Sequence, residues 1–392
     1  MVSEKRSLVI PNDFPPVVSG IATYFYEIWR YFPTENHYIL CPKDNGWKAF
    51  DREANLNVIR RRIPSGDSIT AKLLKGKLYA FWVLILHLKY QFDVIHCGQV
   101  LSSGFAGWLM KKLFRVPYVV YVYGSETFRF GRNPIFIRFI RIILKNADLI
   151  VPNSHFTRDE FLALGISPKK FRIVTPGVDT TRFNIGIKYA ALLKKYNLAG
   201  KIVLLTVARL DERKGHDMVI RALPALVKKF PQIVYLIVGK GREEARLKQI
   251  AAENGVTDYV IFCGYVADAD LPKFYQLCDI FILLNRQTAD DDRLRGDYEG
   301  FGIVFLEASA CGKPVVAGNY GGIADAVVDG QSGFILNLRD GTSGEIVQGT
   351  LERLISQPEL REKLGRFGRQ RAVESFDWTL ISREISQLKV GS

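Results

Sequence analysis

"KIVLLTVARLDERKG", residues 201–215, joins an apolar run of strand length to a loop that carries Arg209 and Lys214 and closes on Gly215. A strand, a glycine-bearing loop and then an amphipathic stretch open a βαβ unit, whose helix directs its first amides toward the strand's end. The chain makes a second such opening near its start, where "SLVIPNDFPPVVSG" (7–20) runs from a strand into a loop ending at Gly20. At 392 residues the chain exceeds the size at which one core keeps growing, so two openings read as two domains.

Around those openings, short β-branched runs alternate with helix-length amphipathic stretches, the pattern of parallel α/β sheets. The first half supplies "SLVIP", "HYILC", "NVIRR", "DVIHC", "YVVYVYG" and "DLIVPN"; the second supplies "KIVLLTVA", "VYLIVG", "YVIFCG", "DIFILL", "KPVVAG" and "GFIL". Each half is expected to be a doubly wound, Rossmann-like sheet. Between them "TPGVDTTRFN" (175–184) carries Pro-Gly and Asp-Thr turn signals ahead of a charged helical stretch, which places the boundary near residue 185.

Composition excludes several classes. Apolar residues are 48% and charged residues 24%, a globular balance without low-complexity tracts. Five scattered cysteines form no CxxC pair and the five histidines show no ligand spacing, so neither a disulfide framework nor a metal site is expected. The N-terminal "MVSEKRSLVIPNDF" lacks a long apolar signal region, and "LYAFWVLILHL" (78–88) is too short to span a bilayer. The expected location is cytoplasmic, with peripheral attachment to the inner face of the plasma membrane as an option.

Of the net charge of +14, +11 falls in residues 1–180, which hold 25 Lys or Arg against 14 Asp or Glu. That asymmetry fits an anionic membrane surface better than nucleic acid, for no finger, RRM or helix-turn-helix pattern accompanies it. "KLLKGKLYAFWVLILHLKY" (72–90) and "RNPIFIRFIRIILKN" (132–146) mix basic and bulky apolar residues. They read either as interfacial helices or as core-packed helices with a solvated basic face.

The two glycine loops carry the phosphate chemistry, since a helix N-terminus offers unpaired N–H groups and partial positive charge. Arg209 and Lys214 add a planar fork and a point charge able to grip a diphosphate. "YLIVGKGREE" (235–244) imitates a dinucleotide fingerprint, but Glu244 stands where its third glycine belongs, so it reads as a tight strand-to-helix turn. An NAD-dependent oxidoreductase would rest on that partial match alone. Asp290 and Asp292 in "ADDDR" fit an Asp-x-Asp metal pattern, yet their arginine-rich surroundings favour a solvated loop.

In "DYEGFGIVFLEASACGKPVVAG" (297–318), Glu299 precedes a glycine-rich turn and Glu307 falls about one turn into the next helix. The glycines free amides at Phe301, Gly302 and Ile303 between two carboxylates. Acceptors for vicinal diols beside donors for oxygens describe a sugar-nucleotide site.

With these segments in place, the chain strongly resembles the family-4 retaining glycosyltransferases of the two-domain GT-B fold. The resemblance runs through "NDFPPVVSGIATYFYE", "DVIHC", "YVYGSE", "PNSHFTRDEF", "VTPGVDTTRF", "ARLDERKGHDMVIRALP", "LIVGKGRE", the Glu299–Glu307 segment, "GGIADAVVDGQSGF" and "FDW" (376–378). It looks most similar to the GDP-mannose-dependent phosphatidylinositol-mannoside mannosyltransferases, with UDP-sugars as the alternative donors. The resemblance implies an acceptor-side domain over 1–185, a nucleotide-sugar domain over 186–370, both facing a cleft, and a C-terminal helix over 371–392 returning to the first.

The family pattern further implies that Glu307 holds the ribose hydroxyls and that Glu299, with the amides after it, holds the donor sugar. It gives Arg209 and Lys214 the diphosphate, Gly20 the glycine loop of the first domain, and the backbone around Tyr265 and Val266 the base edge. Asp13 and Tyr123 would stand on the acceptor side. Tyr123 occupies a position where the family usually has histidine; a phenol can hydrogen-bond a sugar but does not titrate near neutrality. A non-catalytic nucleotide-sugar-binding protein is the reading that substitution would favour. No cofactor or metal is expected, only the nucleotide-sugar donor and a lipid-linked or polysaccharide-precursor acceptor; oligomeric state is not legible.

Overall fold

The computed structural model describes residues 5–64, 69–124, 133–287, 298–338 and 343–391. The chain forms two compact units, Met1–Pro176 with Trp378–Ser392, and Gly177–Asp377.

In the first unit, β1 (Ser7–Ile10), β2 (His37–Pro42), β3 (Asn57–Arg61), β4 (Val94–Cys97), β5 (Tyr118–Val122) and β6 (Leu149–Pro152) form one parallel sheet ordered β3-β2-β1-β4-β5-β6. Register is set around the first strand, with Leu8 opposite both Tyr38 and Ile95. Every residue of β1, β4, β5 and β6 is buried, because helices cover both faces. Leu8 and Ile10 point into the core beneath the helices Ile69–Tyr90, Ser103–Phe114 and Pro134–Asn146. Val9 points the other way, into an aromatic layer with Tyr24, Phe25 and Trp29 of the helix Gly20–Trp29 and with Trp378 and Ile381 of the helix Trp378–Ser386.

The second unit repeats the plan. Strands β7 (Ile202–Val207), β8 (Ile233–Val238), β9 (Val260–Gly264), β10 (Ile280–Leu283), β11 (Val315–Gly318) and β12 (Gly333–Leu336) are ordered β12-β11-β10-β7-β8-β9. Along β7, Val203 and Leu205 face one core and Leu204 the other, the period-2 alternation of a sheet buried on both sides. All twelve strand runs read from the sequence are strands. Both sheets share the order in which the chain reverses direction beside its first strand, and the crevice at the strands' C-terminal ends there is where such sheets bind ligands.

The unit boundaries differ from those expected. The break falls at Pro176/Gly177 and not near 185, because the turn after it is clamped into the second unit. The Val178 amide donates to the Phe376 carbonyl at 2.7 Å, and the Arg369 guanidinium donates to the carbonyls of Thr180 and Phe183. The returning segment starts at Trp378 and not at 371: the helix Pro358–Ser375 belongs to the second unit, where Arg371 donates to the carbonyls of Asp325 and Ala326.

Candidate functional site

The site of the second unit assembles at the C-terminal ends of β7 and β10. After β7 the chain passes Arg209, tightens into a 3₁₀ turn over Glu212–Lys214, and enters the helix His216–Lys229 through Gly215 in a left-handed conformation at φ 68°. A Cβ at Gly215 would lie 2.2 Å from the Leu284 carbonyl oxygen, so only glycine lets this loop lie against the end of β10. Arg286, just beyond β10, fastens the two loops: its amide donates to the Arg213 carbonyl at 2.9 Å and its guanidinium pairs with Asp217 at 3.0 Å.

Lys214 is thereby turned inward, with its side chain 10% exposed, and its ammonium contacts the Glu299 carboxylate. Arg213 stands 3.7 Å from the same carboxylate and Asn285 Nδ2 3.5 Å. Burial pushes the Glu299 carboxyl up, but Lys214 and Arg213, with Arg209 farther off, outweigh it and hold the group below the usual carboxylate range. Arg209 itself is 68% exposed and reaches Asp211 at 3.4 Å. His216, buried at the first helical position, is kept neutral by burial, its pKa pushed down to about 4.

The backbone of Glu299 is pinned from behind: its carbonyl accepts from the Gly322 amide at 2.8 Å, and Gly321, at φ 97°, leaves a Cβ only 2.1 Å from that oxygen. Gly321→Ala is therefore expected to cost about 2 kcal/mol of stability and to shift Glu299 away from Lys214. The check is a thermal melt beside donor turnover; an unaltered melting temperature would mean that the loop yields without strain.

Glu307 lies in the helix Ile303–Ala310, which starts after Gly302 at φ 92°. Its carboxylate accepts from the Tyr275 hydroxyl at 2.5 Å, and Tyr275 is fully buried between the rings of Phe183 and Phe281. Burial drives the Glu307 carboxyl up to about 7, although the Tyr275 donation and Arg182 offset part of that rise. Phe301 is core, its ring packed on Phe376, so only its backbone is available to a ligand, together with Gly302 and Ile303 at the helix start.

Tyr265 is 61% exposed just past the end of β9, and Val266 packs partly against the core. The glycines of "VGKGRE" form the tight turn expected: Cβ atoms at Gly239 and Gly241 would strike the backbones of Ala208 and Leu210, so that turn braces the Arg209 loop. Asp290 and Asp292 lie outside the described residues.

In the first unit, Gly20 opens its helix behind the cap Ser19, whose Oγ accepts from the Ala22 amide and donates to Asp13 at 3.1 Å. Asn12 donates to the other Asp13 oxygen at 2.9 Å. Tyr123, just past β5, sets its ring edge-on to Tyr24 at 6.2 Å. Sequence reasoning passed over Ser19, Arg213, Tyr275, Asn285, Arg286 and Gly321. Only Asn285 and Arg286 carried a usable signal, as polar residues directly after a central strand.

The model described as "Glycosyl transferases group 1" matches residues 190–371 and "Glycosyltransferase Family 4" matches residues 18–182. A GDP-mannose-dependent alpha-(1-6)-phosphatidylinositol monomannoside mannosyltransferase of Mycolicibacterium smegmatis is 29% identical over 98% of each chain. A D-inositol 3-phosphate glycosyltransferase of Saccharomonospora viridis is 31% identical over 82% of this chain and 77% of its own. Among solved structures, Anabaena HepE in complex with UDP and glucose superposes with a TM-score of 0.79 at 20% identity, covering 98% of both chains. That last likeness is one of fold.

Proposed function

The chain belongs to the family-4 retaining glycosyltransferases of the GT-B fold, and from that premise we propose that it moves a mannosyl group from GDP-mannose to a hydroxyl of a lipid-linked acceptor. The observation that carries the reading is the Lys214–Glu299 contact at the chain-reversal point of the second sheet, with Arg213 beside it and Arg209 within electrostatic reach. Such a cluster suits a ligand that brings its own negative charge next to sugar hydroxyls. The choice of mannose and of a lipid acceptor is supported by relatives carrying those names over nearly the whole chain.

In this reading the bond from the sugar's anomeric carbon to the diphosphate breaks while the acceptor oxygen bonds the same face. The acceptor's proton passes to the departing phosphate oxygen, so no side chain need serve as general base. Lys214 and Arg209 stabilise the negative charge that grows on the diphosphate, a role that needs no metal ion. Glu299 accepts from the sugar hydroxyls and Glu307 from the ribose. The backbone at Tyr265 and Val266 lines the base, and Asp13, Gly20 and Tyr123 serve the first unit's side of the reaction.

The test is product formation from GDP-mannose or UDP-glucose with phosphatidylinositol or with soluble inositol phosphate, read by mass spectrometry. Mannosylated lipid is the expected product. Preferred turnover of UDP-glucose would overturn the donor, and preferred use of the soluble acceptor would overturn the lipid. Melting curves give a second readout: GDP at about 100 times its Kd should stabilise the chain by about 2.7 kcal/mol, and UDP at the same concentration by clearly less.

A further inference from the structure

Asn285 follows the end of β10 by two residues and is 1% exposed. Along that strand Phe281 and Leu283 face one core of the second unit, while Ile280, Ile282 and Leu284 face the other. The same alternation carries Asn285 to the face of Phe281 and Leu283, against which Phe301, Phe305 and Leu306 pack. Packing alone asks for an apolar side chain there.

The backbone at this position is held on both sides. A Cβ on Gly318, at the end of β11, would lie 2.2 Å from the Asn285 carbonyl oxygen, and the next amide, that of Arg286, donates to the Arg213 carbonyl at 2.9 Å. The side chain is therefore delivered to one place, beside Glu299. Its Nδ2 lies 3.5 Å from Glu299 Oε2, the oxygen that also meets Lys214 and, at 3.7 Å, Arg213. The reverse flip of the amide would set Oδ1 against a carboxylate, two acceptors together.

Only half of the carboxamide is used. Oδ1 is buried with no hydrogen-bond partner among the described residues. Buried acceptors nearly always have a donor, and one left without it is costly to the free protein. The long Nδ2 contact leaves the amide room to turn toward a donor brought by a ligand.

We infer that Asn285 is a second contact to the transferred sugar: Oδ1 accepts from a hexose hydroxyl next to the one that Glu299 holds, while Nδ2 steadies the carboxylate. A neutral acceptor beside a charged one suits a vicinal diol. The inference rests on the sugar-nucleotide reading above and concerns the sugar alone, since a free nucleoside diphosphate brings no hexose hydroxyl to Oδ1.

The experiment titrates the full chain in a calorimeter with GDP-mannose and with GDP, for the parent, Asn285→Ala and the closer-sized Asn285→Cys. Each variant should bind GDP-mannose about tenfold more weakly, the scale of one hydrogen bond with its slackened neighbour, and bind GDP within about twofold of the parent. Melting temperatures without ligand should stay in place, because the side chain that is removed left an acceptor unpaired. Equal losses for GDP-mannose and GDP, or no loss for either, would overturn the inference and leave Asn285 a brace of the loop. If the parent prefers UDP-glucose, the donor reading falls, and the same comparison is made with UDP-glucose against UDP. A parent that binds neither sugar nucleotide more tightly than its nucleoside diphosphate, nor differently from the variants, would also overturn it.

Discussion

Lys214→Ala is expected to lower kcat about 10²-fold, the scale of losing one preorganised donor to a developing oxyanion. The side chain is buried on arrival, held by the 3₁₀ turn and by Gly215 against β10, so its ammonium pays little ordering entropy when the donor binds. Arg213 and Arg209 remain in the variant, which is why the loss should be that of one donor and not of the whole cluster. Removing the ammonium also strips Glu299 of its nearest cation, and the carboxyl should then titrate higher than it does now. Single-turnover rates with saturating donor make the measurement; turnover within a factor of about two of the parent would sink the assignment.

Glu307→Ala should weaken donor binding by about 10²-fold, the sum of two modest hydrogen bonds from ribose hydroxyls to a charged acceptor. The parent protein should also show a pH dependence of known sign. Because burial holds the Glu307 carboxyl at about 7, it is ionised above that value and protonated below, so affinity should fall as pH drops through neutrality and level off above it. Tyr275→Phe removes a donation that favours the ionised form and should move the midpoint upward. The intact sugar nucleotide is the right ligand, since its diphosphate diester does not titrate in this range. An affinity that stays flat from about pH 6 to pH 8 would remove Glu307 from the ribose.

The twelve strands and the placement of both glycine loops were legible because parallel strands buried on two faces must be apolar throughout, as in the run "KIVLLTVA". Lys214 and Glu299 were legible as residue types in context. Their contact was not: it joins positions 85 apart and depends on how closely Gly215 and Gly321 let backbones approach. Tyr275 carried no sign of its role, since a tyrosine on an apolar helix face ordinarily packs, and the hydroxyl's partner is 32 residues away. The boundary was misplaced for a related reason. "TPGVDTTRFN" announces a turn, but which unit owns the turn is decided by Arg369 and Phe376, far along the chain.

That ownership has a consequence for the order in which the chain is made. The second unit enters at Gly177 and leaves at Asp377, with Val178 bridged to Asp377, so it is a closed insertion whose two ends meet. The first unit's aromatic layer is unfinished until Trp378, Ile381 and Ile385 arrive to cover Tyr24 and Ile28. On the ribosome, the domain begun first is completed last: the insertion can close while its host still waits with an open hydrophobic seam for chaperones to shield.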